Sequence, residues 1–174
     1  NDVWVSSLDN LIHWDGNAWT SKANFVIDWP FNGQVLKMWG TSGNNLYCVG
    51  RTGAIYHYNG NTWTKIESGT TLGIQDIYGS LNTKTGKYEV LAVASDKDQN
   101  NGKKILKIDG AKIEYVKDDG LGWSIRGIWF KPNMKYYIIG DGIFRKYFVH
   151  DQNPWVMYPI GQVARCYSEA IRGN

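Results

Sequence analysis

A unit of about 40 to 50 residues recurs along this chain, and no other feature restricts what it can fold into so strongly. The clearest copy runs Asn45-Leu46-Tyr47-Cys48-Val49-Gly50, Gly53-Ala54-Ile55-Tyr56-His57-Tyr58, Asn59-Gly60 and Trp63-Thr64-Lys65-Ile66, which reads as three strands and two turns. An earlier copy is Asp2-Val3-Trp4-Val5-Ser6, Asn10-Leu11-Ile12-His13-Trp14, Asp15-Gly16 and Trp19-Thr20. The third copy is Tyr88–Val93, Lys104–Ile108, Asp109-Gly110 and Lys112–Val116, and the fourth is Tyr136–Gly140, Gly142–Tyr147 and Trp155–Tyr158. Taking Trp14, Tyr58, Ile108 and Tyr147 as equivalent, the spacings are 44, 50 and 39 residues.

Three of the copies carry Asp-Gly or Asn-Gly between their second and third strands, the composition of a two-residue hairpin turn with positive φ at both central positions. A further strand leads into each of the last three units: Val35–Gly40, Ile74–Gly79 and Ser124–Trp129. The first unit has no such leader, and the chain ends on one without a unit after it, Tyr167-Ser168-Glu169-Ala170-Ile171-Arg172-Gly173-Asn174. Running from Asn174 on into Asn1 reproduces the phase of Met38-Trp39-Gly40 into Asn45-Leu46-Tyr47, with a wrapped spacing of 41 residues.

The expectation is therefore an all-β protein, a single β-propeller domain with four blades of four antiparallel strands, the first blade completed by the C-terminal strand. Blade one takes residues 163–174 plus 1–20, blade two 33–66, blade three 72–116 and blade four 122–158. One sheet cannot bury both of its faces alone, whereas a ring of sheets covers them all. Two alternatives stay open: an excised run of blades from a larger propeller, and two copies meeting end to end in a ring of eight. Because the chain starts at Asn1 and enters strand-like Val3-Trp4-Val5 at once, it is read as a processed product or part of a longer polypeptide.

The pattern Leu46-Tyr47-x-Val49-Gly50-x-x-Gly53-x-Ile55-x-His57-Tyr58-Asn59-Gly60-x-x-Trp63 resembles the repeat of bacterial secreted or surface propellers of the WD-like, YVTN and BNR-like superfamily. The resemblance covers essentially the whole chain. It implies the fold and a place outside the cytoplasm, at the cell surface, in the periplasm or beyond, and is almost silent on activity. The turn Trp14-Asp15-Gly16-Asn17-Ala18-Trp19 is similar to the Asp-box of sialidases, but Asp15 and Gly16 are adjacent and no Ser precedes them at the right offset.

Composition narrows the function classes. The 19 Lys and Arg against 16 Asp and Glu leave a net charge of +3 with no basic tract, so no footprint for nucleic acid or anionic lipid is present. No apolar run reaches the roughly 20 residues that span a bilayer as a helix. Cys48 lies in the apolar run Leu46–Val49 and reads as a buried free thiol, with pairing to Cys166 open only if the fold brings the two together. A metal site is not expected. His13 and His57 hold the same repeat position, His150 is the third histidine, and no His-x-His or Cys-x-x-Cys spacing occurs. The stretch Asp96–Gly102 opens like a calcium loop but lacks the Glu at its twelfth position. No nucleophile elbow, P-loop or dinucleotide fingerprint appears, so no cofactor is expected and catalysis is the minority reading.

The candidate binding residues are aromatic. Equivalent positions on the leading strands carry Trp39, Tyr78, Trp129 and Arg172, beside a uniformly apolar row of Met38, Ile77, Ile128 and Ile171. The aromatic row reads either as packing or, with Arg172, Arg126 and Glu169, as a channel-mouth pocket for a sugar or a peptide side chain. Trp29 lies in the long segment Ser21–Gly33, which has no repeat counterpart, and Trp123 lies in a shorter segment of the same kind. The function expected is a non-catalytic binding module for a carbohydrate or protein ligand. Competing readings are a polysaccharide hydrolase or lyase, in which Asp76, Glu169 or Arg172 would share one cleft, and a purely structural repeat. Partnership with a second copy is the homodimer form of the eight-blade alternative.

Overall fold

The computed structural model describes residues 2–7, 10–21, 34–96, 102–121, 124–140, 142–146 and 152–157. Over these residues the protein is all-β, in four antiparallel sheets that follow one another along the chain. The first sheet holds β1 (Val3–Ser7), β2 (Asn10–Trp14) and β3 (Trp19–Ser21). The second holds β4 (Val35–Ser42), β5 (Asn45–Gly50), β6 (Ile55–Tyr58) and β7 (Trp63–Ile66). The third comprises β8 (Ile74–Asn82), β9 (Lys87–Ser95), β10 (Lys103–Asp109) and β11 (Lys112–Val116). The fourth comprises β12 (Ile125–Lys131), β13 (Lys135–Gly140), β14 (Gly142–Lys146) and β15 (Val156–Met157). Within every sheet the strands lie side by side in chain order.

Apolar residues on both faces of a strand explain why the sheets stack. Side chains alternate between faces with period two, so the unbroken run Val90-Leu91-Ala92-Val93-Ala94 in β9 must bury both sides. Val90, Ala92 and Ala94 pack toward the second sheet, against Tyr47, Val49, Ile55 and Ile66. Leu91 and Val93 pack toward the fourth, against Ile125, Ile128, Phe130 and Ile138. The second sheet divides likewise, with Cys48, Ala54 and Tyr56 on the face turned away from the third. Trp4 of the first sheet meets that side, its ring centroid 5.1 Å from Tyr58 and 5.7 Å from Trp63. Each core Ile or Leu sealed in these layers contributes about 1.5–3 kcal/mol.

The cross-strand register makes positions in the four sheets equivalent. Trp4 opposes His13, Tyr47 opposes His57, Leu91 opposes Lys107 and Tyr137 opposes Arg145. Hydrogen bonds tie adjoining sheets together around this packing. The Ser95 hydroxyl donates to the Ile125 carbonyl at 2.6 Å, the Tyr136 phenol to Glu89 at 2.8 Å and the Asn133 amide to Asn82 at 2.8 Å.

The turns differ from the sequence expectation. Asp15 and Asn59 each open a four-residue loop in which the side-chain oxygen accepts two backbone N–H groups. For Asp15 these are Asn17 at 2.7 Å and Ala18 at 2.8 Å; for Asn59 they are Asn61 at 3.0 Å and Thr62 at 2.9 Å. The side chain closes the turn itself, so only the following glycine, Gly16 at φ 100° or Gly60 at φ 95°, needs the left-handed region. Only the third copy has a two-residue loop. It is Gly110-Ala111, enclosed by the Asp109–Lys112 pair, with Gly110 alone at positive φ.

Candidate functional site

The leading strands β4, β8 and β12 carry the residues singled out from sequence, and their placement starts from their backbone. Each has a register irregularity at the same point, between Val35 and Lys37, Ile74 and Asp76, and Ile125 and Gly127. The extra residues are Leu36, Gln75 and Arg126. A bulge re-aims the side chains beside it. Arg126 Nε donates to the Ser124 hydroxyl at 3.3 Å, and the Gln75 amide donates to the carbonyls of Gly73 and Ser95 at 3.1 and 2.8 Å.

Next to the bulge stand Lys37, Asp76 and Gly127, one from each sheet. Asp76 is 4% exposed. One carboxylate oxygen accepts the Ile77 N–H at 3.0 Å, with Lys37 Nζ at 3.8 Å. The other accepts the Ile128 N–H at 3.1 Å, across the junction between the third and fourth sheets. A Cβ at Gly127 would press on the Ile139 side chain at 3.0 Å, while standing in ordinary contact with that carboxylate oxygen at 3.5 Å. Asp76 thus joins three leading strands. A carboxylate held by two backbone donors in the interior is a structural tie, with its oxygens already committed.

The aromatic row follows the same logic. Trp39 packs on the cluster between the second and third sheets, and its indole lies over Gly79, where any Cβ would collide with the ring. Tyr78 packs between the third and fourth sheets and meets Phe130 edge-on at 5.4 Å. Trp129 lies on the opposite face of the fourth sheet, beside Tyr137 at 5.9 Å. Trp39 and Tyr78 are therefore brought into the layers between sheets and not together into one cleft. Arg172, Glu169, Trp29 and Trp123 lie outside the described residues.

The histidines form a repeated unit that the sequence showed only as a position. His13 stacks on Trp4 at 3.9 Å and its Nε2–H donates to Asp2 at 2.6 Å. His57 stacks on Tyr47 at 4.4 Å and its Nε2–H donates to Asn45 at 2.6 Å. Burial holds His57 below its ordinary value of 6.5. Asp2 and Asn45 occupy the same repeat position, a coupling legible only once the stack is seen. Cys48 is a free thiol, fully buried, and burial pushes it far above its ordinary value. Among the described residues no cluster of three or more His, Cys, Asp or Glu could hold a metal ion, and no helix is long and apolar enough to cross a membrane.

A concave site lies elsewhere, where the 3-10 turn Arg51–Gly53 meets the segment joining β7 to β8. This pocket of about 700 Å³ is lined by Thr52, Tyr56, Lys65, Glu67, Ser68 and Thr70, with Gly53, Ala54, Gly69 and Thr71 completing the wall. Thr52 sits at φ 56°, ψ 30°, in the left-handed region that a β-branched residue seldom occupies. The turn is held by the Arg51 N–H on the Gln34 carbonyl at 3.2 Å and the Ala54 N–H on the Arg51 carbonyl at 3.1 Å. Lys65 and Glu67 pair at 2.6 Å on the rim, which keeps the Lys65 ammonium above its ordinary value. Tyr56 contributes a nearly buried ring at 4% exposure. Below, the Tyr115 phenol donates to the Ser68 carbonyl at 2.9 Å and fixes the joining segment on the third sheet.

Hydroxyls, one charged donor, one charged acceptor and an aromatic wall can hold a small polyhydroxylated molecule. These residues hold no repeat position that marks them as a site in sequence. The available signal was the hydroxyl-rich Ser68-Gly69-Thr70-Thr71, which breaks the repeat between two strands. No protein family, curated protein or solved structure matches the chain.

Proposed function

We propose that this chain is a non-catalytic binding module on a β-propeller scaffold, its four sheets acting as blades, and that it takes a carbohydrate in the pocket between Thr52 and Thr71. The closest packing among the last three sheets runs through their leading strands, β4 with β8 and β8 with β12, and each sheet extends outward from there in chain order. That is the arrangement blades have around an axis, and it supports the propeller reading. The resemblance to bacterial surface propellers adds a location outside the cytoplasm. Residues 163–174 would then supply the leading strand of the first sheet, which has three strands where the others have four.

The observation that carries the binding reading is the pocket itself. Its wall combines four hydroxyl side chains, Thr52, Ser68, Thr70 and Thr71, with the Lys65–Glu67 pair at the rim. Sugar hydroxyls both donate and accept, and such a mixed wall answers both. Asp76, whose two oxygens serve backbone N–H groups, favours a scaffold role over a catalytic one.

The test is a glycan array followed by calorimetric titration of the best hit, with Lys65→Ala and Glu67→Gln beside the wild type. Binding that falls at least tenfold in both variants while the thermal midpoint holds supports the assignment. An empty array, or a hit whose affinity neither variant changes, refutes it.

A further inference from the structure

The hairpins that join β8 to β9 and β12 to β13 stand side by side at one end of the sheets, and Asn82 fixes both. Its side-chain oxygen accepts the Lys84 N–H at 3.0 Å and the Asn133 amide at 2.8 Å, while its carbonyl accepts the Gly86 N–H at 2.8 Å. The second tip closes through the Met134 N–H on the Lys131 carbonyl at 3.1 Å, with Asn133 at φ 60°, a region that Asn enters more readily than most residues. The two tips therefore form one platform.

This platform is basic and apolar together. Lys84, Lys87, Lys131 and Lys135 are all exposed. Among the described residues Lys84, Lys87 and Lys131 enter no salt bridge. Glu89 is the one carboxylate on either hairpin, and it accepts the Tyr136 phenol. Beside the lysines stand Leu81 at 45% exposure, Tyr88 at 51% and Met134 at 59%, with Leu81 opposite Tyr88 across the first hairpin. No basic tract exists along the chain, and these charges share one surface only because Asn82 and Asn133, 51 residues apart, are bonded.

We propose that this platform docks the protein on an anionic lipid bilayer, with the lysines facing the headgroup phosphates and Leu81, Tyr88 and Met134 entering the interface. Three features select that partner. The side chains sit on hairpin tips, which reach a broad surface ahead of the sheets. The cations are all Lys, a point charge suited to a diffuse field of phosphates, whereas interfaces with other proteins favour Arg and are depleted in Lys. Leu81 and Met134 offer an anionic polysaccharide no hydrogen bond, yet they gain by leaving water for the acyl boundary of a bilayer. The pocket between Thr52 and Thr71 lies at the other end of β8, which begins at Ile74 just after the segment lining it and ends at Asn82. Docking through the tips leaves that pocket turned away from the bilayer, and the inference does not depend on what the pocket binds.

The experiment is co-sedimentation of the purified chain with vesicles of phosphatidylcholine alone, and of phosphatidylcholine with an equal part of phosphatidylglycerol. Each is run at about 0.1 M and about 1 M NaCl, between which the screening length falls from about 10 Å to about 3 Å. Binding is expected on the anionic vesicles only, and at least tenfold weaker in the higher salt. Lys84→Ala combined with Lys131→Ala should lower the partition coefficient at least tenfold, at about fivefold per lysine near the surface. Leu81→Ser combined with Met134→Ser should lower it at least tenfold as well. Circular dichroism checks that each variant is folded, and Lys87→Ala or Met134→Ser alone replaces a pair that is not. No sedimentation with anionic vesicles at the lower salt overturns the inference, as does binding that the lysine pair leaves unchanged. Binding lost in the lysine pair but unchanged in the serine pair, and displaced by polyglutamate, overturns the bilayer in favour of an acidic polymer as partner.

Discussion

Replacing Asp76 tests whether one carboxylate holds three leading strands together. Asp76→Ala removes the acceptor of the Ile77 N–H at 3.0 Å and of the Ile128 N–H at 3.1 Å, both on fully buried residues. A buried donor left without an acceptor costs about 1–3 kcal/mol, so the two together reach roughly 2–6 kcal/mol. Water entering the vacated space recovers part of this. Lys37 adds little, because its side chain is 35% exposed, its ammonium sits 3.8 Å from the carboxylate, and it can turn to solvent. The expected loss is about 3 kcal/mol for Asp76→Ala. For Asp76→Asn it is about 2 kcal/mol, because one carbonyl oxygen remains and the new amide opposes the other N–H. Lys37→Met should cost under about 1 kcal/mol. Urea unfolding followed by tryptophan fluorescence reads these values, and a slope of about 2 kcal/mol per molar puts the midpoint losses near 1.5 and 1 M. Asp76→Ala within about 0.5 kcal/mol of wild type, at an unchanged slope, would show that the inter-strand tie is not what stabilises the junction.

Other perturbations probe separate parts of the same fold. Gly79→Ala should lower stability by about 1–3 kcal/mol, because the methyl falls inside the Trp39 indole, and a near-neutral urea midpoint would mean that the ring is loosely held. Asn59→Ala should cost about 1 kcal/mol by stripping the acceptor from the Asn61 and Thr62 N–H groups, read from the thermal midpoint, whereas Asn59→Asp should keep most of it. Alkaline pH should unfold the protein. Burial raises Tyr47, Tyr58, Tyr136 and Cys48 above their ordinary values, helped by Asp109 at Tyr47, by Asp2 at Tyr58 and by the Glu89 hydrogen bond at Tyr136. The folded state therefore holds protons that the unfolded chain has released. The contribution of these groups is full below pH 9.0 for the thiol and below 10.0 for the phenols, the ordinary values, and falls as pH rises past them. A flat unfolding free energy from pH 8 to 11 would contradict this assignment. Cys48 should likewise resist a thiol reagent until denaturant is added, and immediate labelling of the native chain at that residue would contradict its burial.

The local chemistry of the chain was enough to specify the strands and their grouping into sheets. Period-two alternation, apolar runs such as Val90–Ala94 and Asp-Gly or Asn-Gly between strands act over a few residues, and such signals are written directly in a sequence. Turn geometry was misjudged even at that range. An Asp or Asn side chain that satisfies two backbone N–H groups replaces a backbone turn, and composition does not distinguish the two. Which face of each sheet meets which neighbour was decided only in three dimensions. Trp39 and Tyr78 read from sequence either as packing or as a binding row, and the adjoining sheets cover them. The bond from Asp76 to Ile128, 52 residues away, joins two strands that each carry a bulge beside it. The pocket around Thr52 joins a turn inside one sheet to the segment leading to the next. Hydroxyl residues scattered along a chain carry no trace of such a meeting, because their proximity is set by how whole sheets stack and not by sequence spacing.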